Sequence, residues 1–442
     1  MGQAVKKIGL FSATAVVAGN MMGSGIALLP ANLAALGSIT LISWLIAIIG
    51  ALALAYLFAK LGTLNPQEGG LVAYAGEVSP VLGYQTGVLY FHANWIGNLA
   101  IAITAVSYLS IFIPVLTHAI PAGLFTIAII WIFALLNLLG AHWIGRLAGL
   151  GVSLLMIPII ITACGGWFFF HPQLFHANWN VSGKGDTHAM MSGILLCIWS
   201  FIGVESASVD ANVVENPKRT IPISTLAGTL IAALVYLLST TAMNGMFPAA
   251  TLAQSGAPFS LAINTMVKGY DLGHIVSFIT AFACLTSLSS WILLVAQAGA
   301  RAAHDGNLPP IFGRLNQRNI PAMGIILTTV FMTLLMLALM FLHQSSGQIF
   351  GEIISIAVLL TILPYYYSAL NLIRIAKHRA RAFLQLACGL IVTLFCFAGL
   401  LGASTYAIMA TMILSLGCLV FYAKKDHHEY EERMYKEERA TE

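Results

Sequence analysis

The chain has 442 residues, 59% of them hydrophobic and only 8% charged, with a mean hydropathy of +0.88. About a quarter of the residues in soluble domains are charged, so this composition excludes a water-soluble fold. The net charge of +4 is scattered between apolar runs rather than gathered into a patch, so it gives no nucleic-acid partner.

Apolar runs long enough to cross about 30 Å of hydrocarbon recur twelve times, at residues 9–33, 38–61, 83–113, 122–141, 147–170, 188–211, 221–246, 273–301, 321–342, 348–374, 382–402 and 404–423. Lipid cannot satisfy open backbone groups, so each run is read as a helix. Residues 1–423 are therefore expected to form one all-α polytopic membrane domain of 12 transmembrane helices. Lys6 and Lys7 mimic the start of a signal peptide, but the run behind them is too long and the pattern continues, which predicts a retained first helix. Connectors near 171–187, 247–272 and 302–320 carry Pro, Gly, Asn and His. Residues 424–442 form a polar cytoplasmic tail with seven of the 16 acidic residues. Of the 20 Lys and Arg, Lys184 and Lys268 alone fall in the outer set of loops, which places both termini in the cytoplasm. The six cysteines lie within spans at no metal-ligand spacing and read as packing residues. No nucleophile–base set or phosphate loop is present, so neither an enzyme nor a cofactor is expected.

Two spans carry helix breakers at matching places in two groups of five. In the first, Gly23-Ser24-Gly25 sits mid-span, where glycine permits unwound backbone. Amides freed there, at the start of a half-helix, suit a carboxylate, with the Ser24 hydroxyl as a further donor. The competing reading is a close helix contact through Gly19 and Gly23. In the sixth span, Gly203 precedes Glu205, the acid lying deepest in any apolar run. A charge at that depth costs on the order of 3 kcal/mol and marks a cavity or a cationic partner. Paired broken helices of this kind mark the binding site of a secondary transporter. The organisation is thus five plus five plus two.

Aromatic faces attract ammonium groups, and Tyr90, Phe91, Trp95, Trp199 and Trp291 are placed to supply them. Asn94 and Asn98 are one helical turn apart and can face a cavity together. His92 reads as a packed or hydrogen-bonded histidine, Glu352 as interfacial, and Asp305, with Arg301, as a contact at the cytoplasmic end of the eighth span.

The segments Val17–Leu33, Tyr90–Asn98, Phe201–Ala207 and Glu215–Pro222 resemble the basic amino acid/polyamine antiporters of the amino acid–polyamine–organocation superfamily, over nearly the whole chain. Lys6–Phe11, Ala73–Glu77, Ser255–Phe259 and Ala281–Ser287 are most similar to its lysine/cadaverine branch. The resemblance implies a LeuT-like fold of two inverted five-helix repeats, with helices 1 and 6 broken, plus two extra helices. It also implies a homodimer in the bacterial inner membrane. The implied activity is electrogenic one-for-one exchange of external lysine for internal cadaverine by alternating access, paired with a cytosolic amino acid decarboxylase in acid resistance. Ornithine/putrescine exchange, arginine/agmatine exchange and proton-coupled import of amino acids or polyamines stay open as alternatives. By match to the family pattern, Ser24 and Gly25 take the substrate carboxylate, and the carbonyls of Met21, Trp199 and Ile202 take the α-amino group. Trp199 covers the aliphatic stem, while Ala93, Asn94, Asn98 and Trp291 surround the distal cation. Glu205, Tyr74, Tyr90, Tyr236, Asp305 and Tyr422 match transport-associated positions. Phe91 and Phe247 stand where the family has tyrosines, and Ala369 where it has a cysteine.

Overall fold

A computed structural model describes residues 9–64, 70–140, 147–205, 214–342, 345–376 and 382–441. The described residues are helices and loops, with no sheet. In chain order they form α1 (Leu10–Met21), a 3₁₀ turn (Ser24–Ile26), α2 (Leu29–Ala34), α3 (Thr40–Leu64), α4 (Leu71–Gly76) and α5 (Pro80–Leu109). Then come α6 (Ala119–Leu138), α7 (Ala148–Gly165), α8 (Pro172–Ala177), α9 (Asp186–Trp199), α10 (Pro217–Met246), α11 (Ala249–Ala253) and α12 (Pro258–Met266). The last are α13 (Leu272–His304), α14 (Ala322–Leu342), α15 (Ser346–Ala376), α16 (Ala382–Leu401) and α17 (Thr405–Thr441).

Ten helices among the described residues are long and apolar enough to cross a membrane: α3, α5, α6, α7, α10 and α13 to α17. The first and sixth predicted spans are not continuous helices. α1 stops after 12 residues and α9 after 14, and each ends at the glycine-bearing stretch. Residues 206–211 of the sixth span lie outside the described residues, as do Lys6 and Lys7.

Two of the connectors hold helices that their composition concealed. α8, α11 and α12 are short helices; Pro172 and Pro258 start two of them at the first turn, where a missing N–H costs nothing. The last helix does not end where hydropathy falls at residue 423, but runs on to Thr441. The tail sequence explains this, since it lacks Gly and Pro.

α5 is the central post. It packs against α13 and α15, while α1 lies on α10 and α10 on α3. Every residue from Trp95 to Tyr108 is buried, which accounts for its apolar character all round. All six cysteines are free thiols, five of them buried.

Candidate functional site

The two breaks meet face to face. At the end of α9 the ladder tightens from four-residue to three-residue spacing: the amides of Ser200, Phe201 and Ile202 donate to the carbonyls of Cys197, Ile198 and Trp199 at 3.1, 3.0 and 3.3 Å. Gly203 then adopts φ +104°, which L side chains resist. Its α-carbon faces the Asn20 carbonyl of α1, which an added Cβ would approach to 3.7 Å. Phe201 anchors the unwound stretch from behind, with ring centroids 6.1 Å from both Trp44 and Tyr236. In the first break the Ala27 carbonyl accepts the Tyr108 hydroxyl at 2.7 Å, so α5 holds that turn open. The competing reading of a close helix contact has no partner at Gly19, since a Cβ there would meet nothing within 4 Å among the described residues.

Glu205 is 4% exposed. Tyr90 of α5 donates to its Oε1 at 2.5 Å, Tyr365 of α15 to its Oε2 at 2.8 Å, and the Gly203 amide to the same Oε2 at 3.1 Å. Among the described residues three donors converge on this one carboxylate. The acid thereby ties the broken helix to the two long helices beside it.

A cavity of about 260 Å³ opens beside this carboxylate. Its walls include Met21, Gly25, Tyr90, Ala93, Asn94, Asn98, Trp199, Ile202, Glu205 and Trp291. Ten of the eleven residues expected to bind substrate are thus brought together. The eleventh, Ser24, contributes its backbone to the 3₁₀ turn; its side chain lies outside the described atoms. Tyr90, Asn94, Asn98 and Ile101 reach the cavity because they recur on one face of α5. Asn94 uses its amide N–H on the Tyr90 carbonyl at 2.6 Å, which leaves its carbonyl oxygen as the acceptor for a cation.

The other four positions lie away from the cavity lining. Tyr74 is fully buried in α4, and Tyr236 packs behind the break against Trp44 and Phe201. Asp305 pairs with Arg301 Nε at 3.1 Å and with His304. Tyr422 packs on Tyr84 with centroids 5.2 Å apart. His92 donates from Nδ1 to the Val88 carbonyl at 2.8 Å, a satisfied packing histidine. Glu352 accepts the Ser404 hydroxyl. Phe91, Phe247 and Ala369, where the chain departs from the family pattern, are buried outside the cavity lining.

Sequence reasoning missed Tyr365, as well as Asn20, Gly97, Ile101, Ser287, Leu294 and Thr361 of the lining. For Tyr365 a signal existed in the run Tyr365-Tyr366-Tyr367, which places three hydroxyls inside one apolar span.

A family profile described as amino acid permease matches residues 8–436. The chain is 52% identical over 425 residues to the cadaverine/lysine antiporter of Escherichia coli (strain K12), covering 96% of each chain. It is 35% identical over 372 residues to the putrescine transporter PotE of the same strain, covering 84% of each. To PotE of Haemophilus influenzae it is 34% identical over 363 residues, 82% of this chain and 83% of the relative.

Proposed function

Because this chain belongs to the amino acid permease family, whose members are transporters and not enzymes, we propose that it exchanges external lysine for internal cadaverine, one for one, by alternating access. The carrying observation is Glu205, a triply hydrogen-bonded carboxylate at the meeting point of two unwound helices. The similarity to the cadaverine/lysine antiporter, at 52% over 96% of both chains, supports the choice of substrates.

In this reading the amides around Ser24 and Gly25 hold the lysine carboxylate, aided by the positive end of the half-helix. Carbonyls at Met21, Trp199 and Ile202 accept the α-ammonium. Trp199 covers the aliphatic stem. The distal ammonium lies among Ala93, Asn94, Asn98 and the face of Trp291. Cadaverine lacks a carboxylate and presents a second ammonium, which Glu205 takes. The ten spanning helices, with the two interrupted ones, make up a twelve-helix LeuT-like arrangement of two inverted five-helix repeats and two extra helices. Both termini are cytoplasmic, the membrane is the bacterial inner membrane, and the protein is a homodimer. Tyr74, Tyr236, Asp305 and Tyr422 act away from the cavity, on the packing that shifts as access alternates. A cytosolic decarboxylase that consumes lysine and a proton and yields cadaverine sustains the gradients and raises internal pH, which makes an acid-resistance system.

Counterflow tests the reading. Radiolabelled lysine is offered to proteoliposomes preloaded in turn with cadaverine, putrescine, agmatine or no amine. Uptake that is fast only against cadaverine is the expected result. Putrescine is the competing counter-substrate, given the putrescine transporters at 34–35% identity. Equal uptake into empty vesicles driven by a proton gradient would replace exchange with symport.

A further inference from the structure

Trp199 closes α9, and its indole spans from the break in the first helix to α5. Both edges of the ring meet residues without a Cβ. A Cβ on Gly25 would lie 3.0 Å from Trp199 Nε1, and one on Gly97 would lie 3.2 Å from Cη2 and 3.7 Å from Cζ3. Both closest approaches are inside ordinary carbon contact distance, so alanine at either position forces the ring to move. Gly25 belongs to the 3₁₀ turn of the first break. Gly97 lies inside regular α5, where glycine is about 1 kcal/mol worse than alanine. Its α5 neighbours on the cavity, Ala93, Asn94, Asn98 and Ile101, all carry side chains.

We propose that Gly97 is a specificity-determining seat for Trp199. By withholding a Cβ it lets the six-membered ring lie back against α5, and so sets the length of cavity open to a five-carbon diamine. The identity of the diamine rests on the exchange reading above; the contact between Gly97 and the indole does not. With a methyl group at 97 the ring has to give by a few tenths of an ångström, and its five-membered edge faces the Gly25 backbone, which limits retreat along its own plane. It tilts into the cavity that it lines. A shortened pocket penalises the longer ligand, and one methylene in a fitted apolar slot is worth roughly 10–200-fold.

The test compares wild type, Gly97→Ala, Trp199→Phe and the double variant. Each is assayed for exchange of cadaverine against putrescine in one vesicle preparation, and by thermal unfolding in detergent without ligand. Phenylalanine lacks the outer indole atoms that approach Gly97. In the wild-type background Gly97→Ala is expected to lower the cadaverine-to-putrescine rate ratio about fivefold or more. In the Trp199→Phe background it is expected to change that ratio by less than about twofold. The ratio is internal to each preparation, so poor insertion or folding does not move it. An unchanged ratio in the wild-type background, or an equal change in both backgrounds, overturns the proposal. If the wild type exchanges neither diamine, the exchange reading fails separately. The seat is then judged by the thermal cycle, where additive losses of Tm overturn it and a loss that vanishes with Trp199→Phe sustains it.

Discussion

At the scale of single residues, Glu205 has two roles. In the proposed exchange it is the site for an ammonium, and in the fold it holds Tyr90, Tyr365 and the Gly203 amide in place. Hydrogen bonds to a charged group are worth about 1.5–3 kcal/mol each. Removing the Tyr365 hydroxyl should therefore slow cadaverine exchange roughly 10–100-fold, with the protein still inserted and folded. Glu205→Gln should be more damaging, because the amide presents an N–H to one tyrosine that also donates and, in the proposed exchange, removes the acid that takes the diamine. Initial rates in proteoliposomes decide both, and a Tyr365→Phe rate within twofold of wild type would release that hydroxyl from the site. Glu205 was legible in the sequence because one acid stands out in an apolar run. Tyr365 was not. It lies 160 residues away, and successive helical residues point about 100° apart, so spacing alone does not choose among Tyr365, Tyr366 and Tyr367. The fold sends Tyr365 to Glu205 and Tyr367 to Gln85 Oε1 at 2.5 Å, and leaves Tyr366 lining an apolar cleft among α15, α16 and α17.

At the scale of elements, the site depends on backbone that is not helical. At Gly203, with φ +104°, an added Cβ would make ordinary van der Waals contact, its nearest neighbour among the described residues being 3.7 Å away, so alanine there is penalised by torsional strain and not by collision. Strain of that kind costs of order 1–3 kcal/mol. Gly203→Ala should lower Tm by several degrees and reduce exchange. Gly19→Ala, in a regular helix with nothing within 4 Å among the described residues, should be neutral or stabilising by up to about 1 kcal/mol. Thermal unfolding of the purified variants separates the two, and equal effects would mean that the break at 203 is not a fixed feature of the fold. Both breaks could be read from glycine placement, because Gly23, Gly25 and Gly203 are helix breakers set mid-span in apolar runs. The end of α17 could not, since hydropathy marks where lipid stops and not where helix-forming residues stop. Nor could α8, α11 and α12, whose few residues give no full period to detect.

At the scale of the whole molecule, charge accounting links the cavity to the membrane potential. Glu205 is the one carboxylate among the residues described as lining the cavity. Ionised, it makes the lysine-loaded site neutral, because lysine carries a net single positive charge. The same site loaded with cadaverine keeps one positive charge. Moving one charge through 100 mV changes the free energy by about 2.3 kcal/mol, or roughly fifty-fold in the equilibrium ratio. An inside-negative potential therefore opposes cadaverine efflux and leaves lysine-for-lysine exchange almost untouched. Clamping vesicles with potassium and valinomycin should shift the cadaverine–lysine equilibrium about fifty-fold per 100 mV, while lysine homoexchange stays flat. A homoexchange rate that follows voltage as steeply would mean that the loaded site travels with a different charge, and that Glu205 is not the ionised group that lysine neutralises. Glu205→Gln separates the alternatives further: with the carboxylate gone, lysine-loaded carriers gain a positive charge, and their residual homoexchange should become voltage-dependent where the wild type is not.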